Sequence, residues 1–167
     1  MFDVEPFSQD CRAALADARA PKALRTIIAR AVCDPLSVMR ALGEPSRAGI
    51  EALHRSSDLP TLRVVRGPGM TIMPHNHRMA AVIGLCAGRE DNIFWRRIET
   101  ARGQRLQAAG AHSIGVGDCV PLGCDIIHSV TNPLAKLTAA IMCVSVTSSP
   151  WNAANGKRRR WRNGAAT

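Results

Sequence analysis

His75 and His77 stand two residues apart in the apolar run GMTIMPHNHRMAAVIG. Imidazole nitrogen is a ligand for iron, zinc, copper and nickel alike. On a β-strand residues i and i+2 share a face, so a rigid strand would present both rings to one ion. Taken alone the spacing is a weak signal. A surface histidine beside a hydrogen-bonded core histidine explains it equally simply. Two further histidines offer less: His54 alternates with Arg55, so the two face opposite ways, and His112 sits in a Gly-Ala stretch read as a loop. Both are taken as structural or solvent-exposed.

The elements that must position these side chains change character along the chain. Up to residue 43 the pattern is helical. Leu24, Ile27, Ile28, Ala31 and Val32 follow an amphipathic stripe, Pro21 suits a first turn, and Asp34-Pro35 and Gly43 suit the cap and end of another short helix. Beyond residue 48, short apolar runs such as TLRVV, MTIM, AAVIGLCAG, IIHSV and LTAAIMCV are separated by Gly, Pro, Asn or Asp. Many short strands without intervening helices predict a sandwich or small barrel. The expected organisation is a helical cap over 1–43, a β-barrel over 44–147 and a basic, disordered tail over 148–167.

Composition narrows the class. A chain of 167 residues is long enough for one domain with a sizeable core. No apolar stretch reaches the length needed to cross a bilayer, and the acidic start MFDVEPFSQD lacks the order of a signal peptide, so a cytoplasmic location without membrane contact is expected. The six cysteines, lacking metal-finger spacing, are read as reduced thiols, and the closest pair in sequence, Cys119 and Cys124, is given no function. Of the 22 basic residues, Lys157, Arg158, Arg159, Arg160 and Arg162 lie in the last eleven, leaving 17 against 13 acidic elsewhere. The net charge of +9 therefore belongs largely to a tail, and nucleic acid is not the expected partner. An evolved basic arm would instead bind DNA or RNA with steep salt dependence.

The histidines gain meaning from their surroundings. Gly69 precedes His75 in GMTIMPHNH, and GVGDCVPLGCDIIHSVTN sets Gly115, Pro121, Gly123, His128 and Asn132 in a second ordered pattern. These segments resemble the paired motifs of the cupin superfamily, with four residues rather than two between Gly123 and His128. The resemblance implies a mainly β fold, the cupin double-stranded β-helix or jelly-roll barrel, carrying a metal inside and here an N-terminal helical segment. Most cupins also place a Glu four or five residues after the second histidine. Ala81 and Val82 stand there instead, and Glu90 and Asp91 fall in GREDN, read as a turn. The implied ligands are His75, His77 and His128. Three neutral imidazoles leave a ferrous ion its full charge and open positions, suited to an anionic bidentate ligand and then dioxygen.

That three-histidine pattern resembles the bacterial cysteine dioxygenase-like cupins, over residues 1 to about 141, through MPHNHRMAAVIGLCAGREDNIFWRR and DIIHSVTNP. The resemblance implies non-haem Fe(II), with other divalent metals acceptable to the same ligands, a small thiol such as cysteine as substrate, and its oxidation by O2 to a sulfinate. It also implies an arginine near the start of the barrel that holds the substrate carboxylate. Arg55, in LHRSSD, stands at that place, where its planar fork could pair a carboxylate; a solvated strand-end arginine is the alternative. Asn132 is read as satisfying turn backbone, and Trp95 as core. Oligomeric state is left open.

The late strand departs from that family. Where its members carry a His and a Tyr two apart, this chain has Met142 and Val144, and it contains no Tyr at all. Codons for Ile141 through Gly156 read one base earlier can spell HVCIGDFFAVERSEW, which restores the family's HV, GDFF and RSEW in register. Residues 142–167 are accordingly read as the product of a frameshift after Ile141. Three functions remain in view: a thiol dioxygenase, a metal-binding cupin impaired in catalysis by loss of the outer His and Tyr, and a binding cupin whose histidines hold no metal.

Overall fold

Short polar side chains set the helix ends. Asp3 opens α1 (Val4–Ala13), its carboxylate accepting from the Glu5 N–H at 3.1 Å. A 3-10 turn, Ala14–Ala16, follows. The computed structural model describes residues 1–16 and 20–145. Helix α2 (Ala20–Val32) buries Leu24, Ile28 and Val32 and half-buries Ile27 and Ala31, so the stripe seen in the sequence is the face laid on the barrel. Asp34 caps α3 (Pro35–Leu42) by accepting from Ser37 N–H at 3.1 Å, and Gly43, at φ +73°, ends it. Arg63 reaches up from the barrel to the last carbonyls of α3, donating to Leu42 O at 2.7 Å and Gly43 O at 2.5 Å.

Nine strands follow: β1 (Gly49–His54), β2 (Thr61–Arg66), β3 (Thr71–His75), β4 (Ala80–Ala87), β5 (Arg89–Thr100), β6 (Gly103–Gly115), β7 (Cys119–Leu122), β8 (Ile127–Thr131) and β9 (Thr138–Ser145). They form two antiparallel sheets, ordered β1-β2-β9-β4-β7 and β3-β8-β5-β6. Apart from the β1–β2 and β5–β6 hairpins, each connection carries the chain from one sheet to the other. That winding is a jelly roll, the double-stranded β-helix, mainly β with an N-terminal helical segment.

Alternation along β4 shows how the core is divided. Ala81, Ile83 and Leu85 point into the barrel with Ile114, Leu122, Ala140 and Val144. Val82 and Cys86 point outward, with Ile141 and Cys143, into the layer beneath Leu24, Ile28 and Val32. Burial on both faces explains why β4 reads as an unbroken apolar run. Gly84 lets α2 lie this close. A Cβ there would stand 2.6 Å from Ile28 Cγ2 and Val32 Cγ1.

Several expectations need correction. Glu90 and Asp91 are not in a turn: the turn is at Gly88, φ +81°, and both acids lie in β5. Glu90 faces the barrel interior, buried, and takes hydrogen bonds from Arg66 Nη1 at 2.5 Å and Thr138 Oγ1 at 3.2 Å. A buried carboxylate needs such partners, and Arg66, distant in sequence, supplies the charge. His112 belongs to exposed β6 rather than a loop. Trp95 is half-buried, its Nε1 donating to Ser129 Oγ at 3.0 Å on the outer face of the sheet, because inward and outward positions alternate from Asn92 and Phe94.

The cysteines of the described residues are free thiols, the closest approach being Cys143 to Cys11 at 3.8 Å between Sγ atoms, across β9 and α1. No described helix is long and apolar enough to cross a membrane. Strand β9 is paired with β2 and β4 as far as Ser145. The tail expected over 148–167, and all of the proposed frameshift segment after 145, lie outside the described residues.

Candidate metal centre

Antiparallel pairing of β3 with β8 places His75 directly opposite His128. His128 is almost fully buried, at 1% exposure, on the interior face of β8. His77 arrives by a different route from the one its spacing suggested. Strand β3 ends at His75, and His77 lies in the segment beyond it, followed by Arg78 at φ +52°. The bend comes only after His77, and the rings of His75 and His77 stack with centroids 5.1 Å apart and planes 12° from parallel. Upstream, Gly69 takes φ +65° and donates to Leu134 O, and Asn132 Nδ2 donates to the carbonyls of Arg66, Gly67 and Lys136. Asn132, at 0% exposure, therefore satisfies the turn backbone as its place before Pro133 suggested.

The three rings converge through one nitrogen each. His77 Nε2 is 3.2 Å from His75 Nε2 and 3.2 Å from His128 Nε2, and one ligand atom from each residue falls within 4.8 Å of the others. The opposite nitrogens of two rings are held elsewhere: His75 Nδ1 by Met73 O and His128 Nδ1 by Asn92 Oδ1, both at 2.9 Å. Both acceptors require Nδ1–H, which leaves the two Nε2 lone pairs facing inward. His77 can offer a proton to one of them. In the neutral cluster that single proton cannot serve both rings, so one inward lone pair is left without a donor, which a shared cation would relieve. Nitrogens bound at about 2.0–2.1 Å to a tetrahedral ion are roughly 3.3 Å apart, so the observed spacing fits a metal.

Charge points the same way. Burial, then the neighbouring His75 and His77, then Arg66, push His128 down to about 3. His77 is lowered by burial, by His75 and by Arg66. Both rings are therefore neutral at neutral pH, the form that ligates. Among the described residues no carboxylate joins the cluster; it is three histidines. Glu90 is the buried acid of the barrel, but Arg66 and Thr138 hold it.

Asn92 is the site residue that sequence reasoning passed over. Its signal was the alternation that puts it and Phe94 inward on β5, where Phe94 pairs with His128. Met142 and Val144 face the barrel interior among Ala81, Ile83 and Leu85, so the wall that β9 presents is apolar. Arg55 is exposed just beyond the end of β1, on the five-stranded sheet. A cavity of about 370 Å³ opens beside His75, and Arg55 is not in its wall. It is bounded by the end of β3, by Ile127, and by Arg97, Gln104, Arg105 and Leu106 of the β5–β6 hairpin. His54 lies 4.0 Å from Glu5, away from the cluster.

No family model matches the chain, and no curated protein matches it. Solved structures do. A cupin family protein from Methanocaldococcus jannaschii, described as RmlC-like with a double-stranded β-helix fold, matches at 10% identity, covering 62% of this chain and 84% of that one, with a TM-score of 0.48. A cupin superfamily protein from Desulfitobacterium hafniense matches at 10% identity, over 63% of this chain and 83% of that one, with a TM-score of 0.46. The oxalate decarboxylase of Lactobacillus farciminis, solved with formate, matches at 23% identity over 54% of this chain and 24% of its own, with a TM-score of 0.42.

Proposed function

We propose that this chain is a non-haem Fe(II) thiol dioxygenase that oxidises a small thiol such as cysteine to its sulfinate with O2. The observation that supports it is the donor set: three imidazole Nε2 atoms gathered inside a barrel with no carboxylate among them from the described residues. His75, His77 and His128 would hold the iron. The metal would supply open positions for the substrate thiolate and for dioxygen, and both oxygen atoms would end on sulfur. The protein's part is orientation. Met73 O and Asn92 fix two of the rings, burial keeps His77 and His128 neutral, and the apolar wall of Ala81, Ile83, Leu85 and Met142 limits water around the site. Arg55 is the residue that the resemblance assigns to the substrate carboxylate.

A second reading rests on a specific observation. Met142 and Val144 give the β9 face no acid or hydrogen-bond donor, and a cupin so altered would bind metal without turning over. One experiment separates the two. The Fe(II)-loaded protein is supplied with cysteine and with 3-mercaptopropionate, oxygen uptake is recorded, and the sulfinate is identified by mass. Uptake matched by sulfinate supports the dioxygenase. Bound iron with no uptake supports the impaired cupin. A chain that binds no divalent metal overturns both.

A further inference from the structure

Two thiols meet where α1 lies on the barrel. Cys11 of α1 and Cys143 of β9 are 132 residues apart in sequence, yet their Sγ atoms stand 3.8 Å apart. Both are buried, at 0% and 1% exposure. A disulfide bond is about 2.05 Å long, so the sulfurs need to close by roughly 1.8 Å, within reach of side-chain rotation. Other cysteines are placed differently: Cys33 is exposed, Cys86 Sγ faces Gly84 O and Cys119 Sγ faces Arg25 O.

The surroundings distinguish the two sulfurs. Thr61, directly opposite Cys143 in the β2–β9 register, sets its Oγ1 3.6 Å from Cys143 Sγ. Contact with Cys11, aided by that hydroxyl, holds the Cys143 thiol below its ordinary value against the opposing effect of burial. Contact with Cys143, then burial, pushes Cys11 up. Cys143 is thus the sulfur that ionises first, and the thiolate is the reactive form. On either side of the pair α1 is tied down by ion pairs at the surface, Asp10 with Arg30 at 3.1 Å and Arg12 with Asp58 at 3.5 Å. Such pairs stabilise little, so local opening of α1 admits a small oxidant while the barrel stays folded.

We propose that Cys11 and Cys143 form a redox clasp that, on meeting hydrogen peroxide, fixes α1 covalently to the five-stranded sheet. The Cys143 thiolate attacks one peroxide oxygen, the O–O bond breaks, and a sulfenic acid forms as the departing hydroxide takes up a proton to leave as water. Cys11 sulfur then attacks the sulfenic sulfur, the S–O bond breaks, and a second water leaves with the Cys11 proton. Two thiols give up two electrons and two protons, and the peroxide is reduced to two waters. The clasp belongs to the chain as it reads here, since the shifted frame puts valine at position 143.

The test treats the full chain, reduced beforehand and freed of metal with a chelator, with a slight excess of hydrogen peroxide. Digestion and mass spectrometry are expected to show a linked peptide joining residues 11 and 143, lost again on reduction. The Tm of the oxidised chain is expected to rise by about 5–10 °C, because the bond closes a long loop. Cys143→Ala and, separately, Cys11→Ala should abolish both readings, and Cys33→Ser should change neither. Absence of the linked peptide from the unmodified chain overturns the pairing, whether or not either variant folds. A linked peptide with Tm unchanged or lowered overturns the clasp, as does a rise that persists in either alanine variant. None of these outcomes bears on the metal centre, whose histidines lie on other elements.

Discussion

Asn92 Oδ1 accepts the Nδ1–H of His128 at 2.9 Å, and that contact decides which nitrogen of the buried ring faces the cluster. Replacing Asn92 with Leu keeps the size and removes the acceptor. His128 would then bury an unsatisfied N–H or shift its tautomer and turn its lone pair away. Metal affinity is expected to fall by about 10–100-fold, the usual cost of losing such a support. Competition with a calibrated chelator measures it. His54→Ala, at a ring that lies away from the cluster, is the control and should change nothing.

Acid should destabilise the metal-free protein in a window that identifies the buried rings. His128 is held down to about 3 in the folded chain, and His77 is lowered too, against an unfolded value of about 6.5. Below about pH 6.5 the unfolded state binds protons that the folded state refuses. Stability is therefore full above that pH and falls progressively as pH drops toward the folded value. For His128 alone the loss between pH 7.5 and 5 is about 2 kcal/mol. Asp58 is lowered by its bond from Ser56, and Asp91 by Ser113 and then Arg89, but these carboxylates lose their contribution only at lower pH. Urea unfolding at pH 7.5 and pH 5 gives the comparison, and His128→Gln should flatten it.

Gly84 controls how α2 sits on the sheet. Gly84→Ala places a Cβ 2.6 Å from methyl groups of Ile28 and Val32, both fully buried and unable to swing aside. The helix must move outward, at a cost of about 1–3 kcal/mol. A lowered Tm with unchanged metal content is the expected result, since the histidines lie on other elements. Loss of metal together with stability would mean that the helical layer also shapes the centre.

These relationships differ in how far the sequence exposes them. The double-sheet fold and the stripe of α2 are legible because periodicity is local, and β4 is legible as an apolar run. His75 and His128 are legible through their flanking glycines and prolines. His77 joins them from two residues past the end of β3, where the spacing rule for strands no longer applies. Glu90 was misread because acidic residues beside Gly88 look like a turn until Arg66, 24 residues away in sequence, is brought against them. Asn92 left no mark beyond an alternation that also fits an ordinary strand.

The β9 wall gives the last prediction. Met142 and Val144 occupy inward positions in the same interior as His128. If the missing polar groups limit turnover, Met142→His with Val144→Tyr should raise oxygen uptake at least tenfold with cysteine while leaving iron content unchanged, because neither residue belongs to the donor set. Both substitutions enlarge or polarise an apolar interior, so stability is expected to fall by about 1–3 kcal/mol, and uptake must be measured per folded, iron-loaded molecule. Resequencing the gene from the Thr138 codon through the stop is the independent measurement. An extra or missing base would trace residues 142–167 to a frameshift and predict that the restored reading, which carries His at 142 but Cys rather than Tyr at 144, behaves like Met142→His alone. A confirmed reading with no gain in the variant would locate the limit elsewhere, at the metal centre itself.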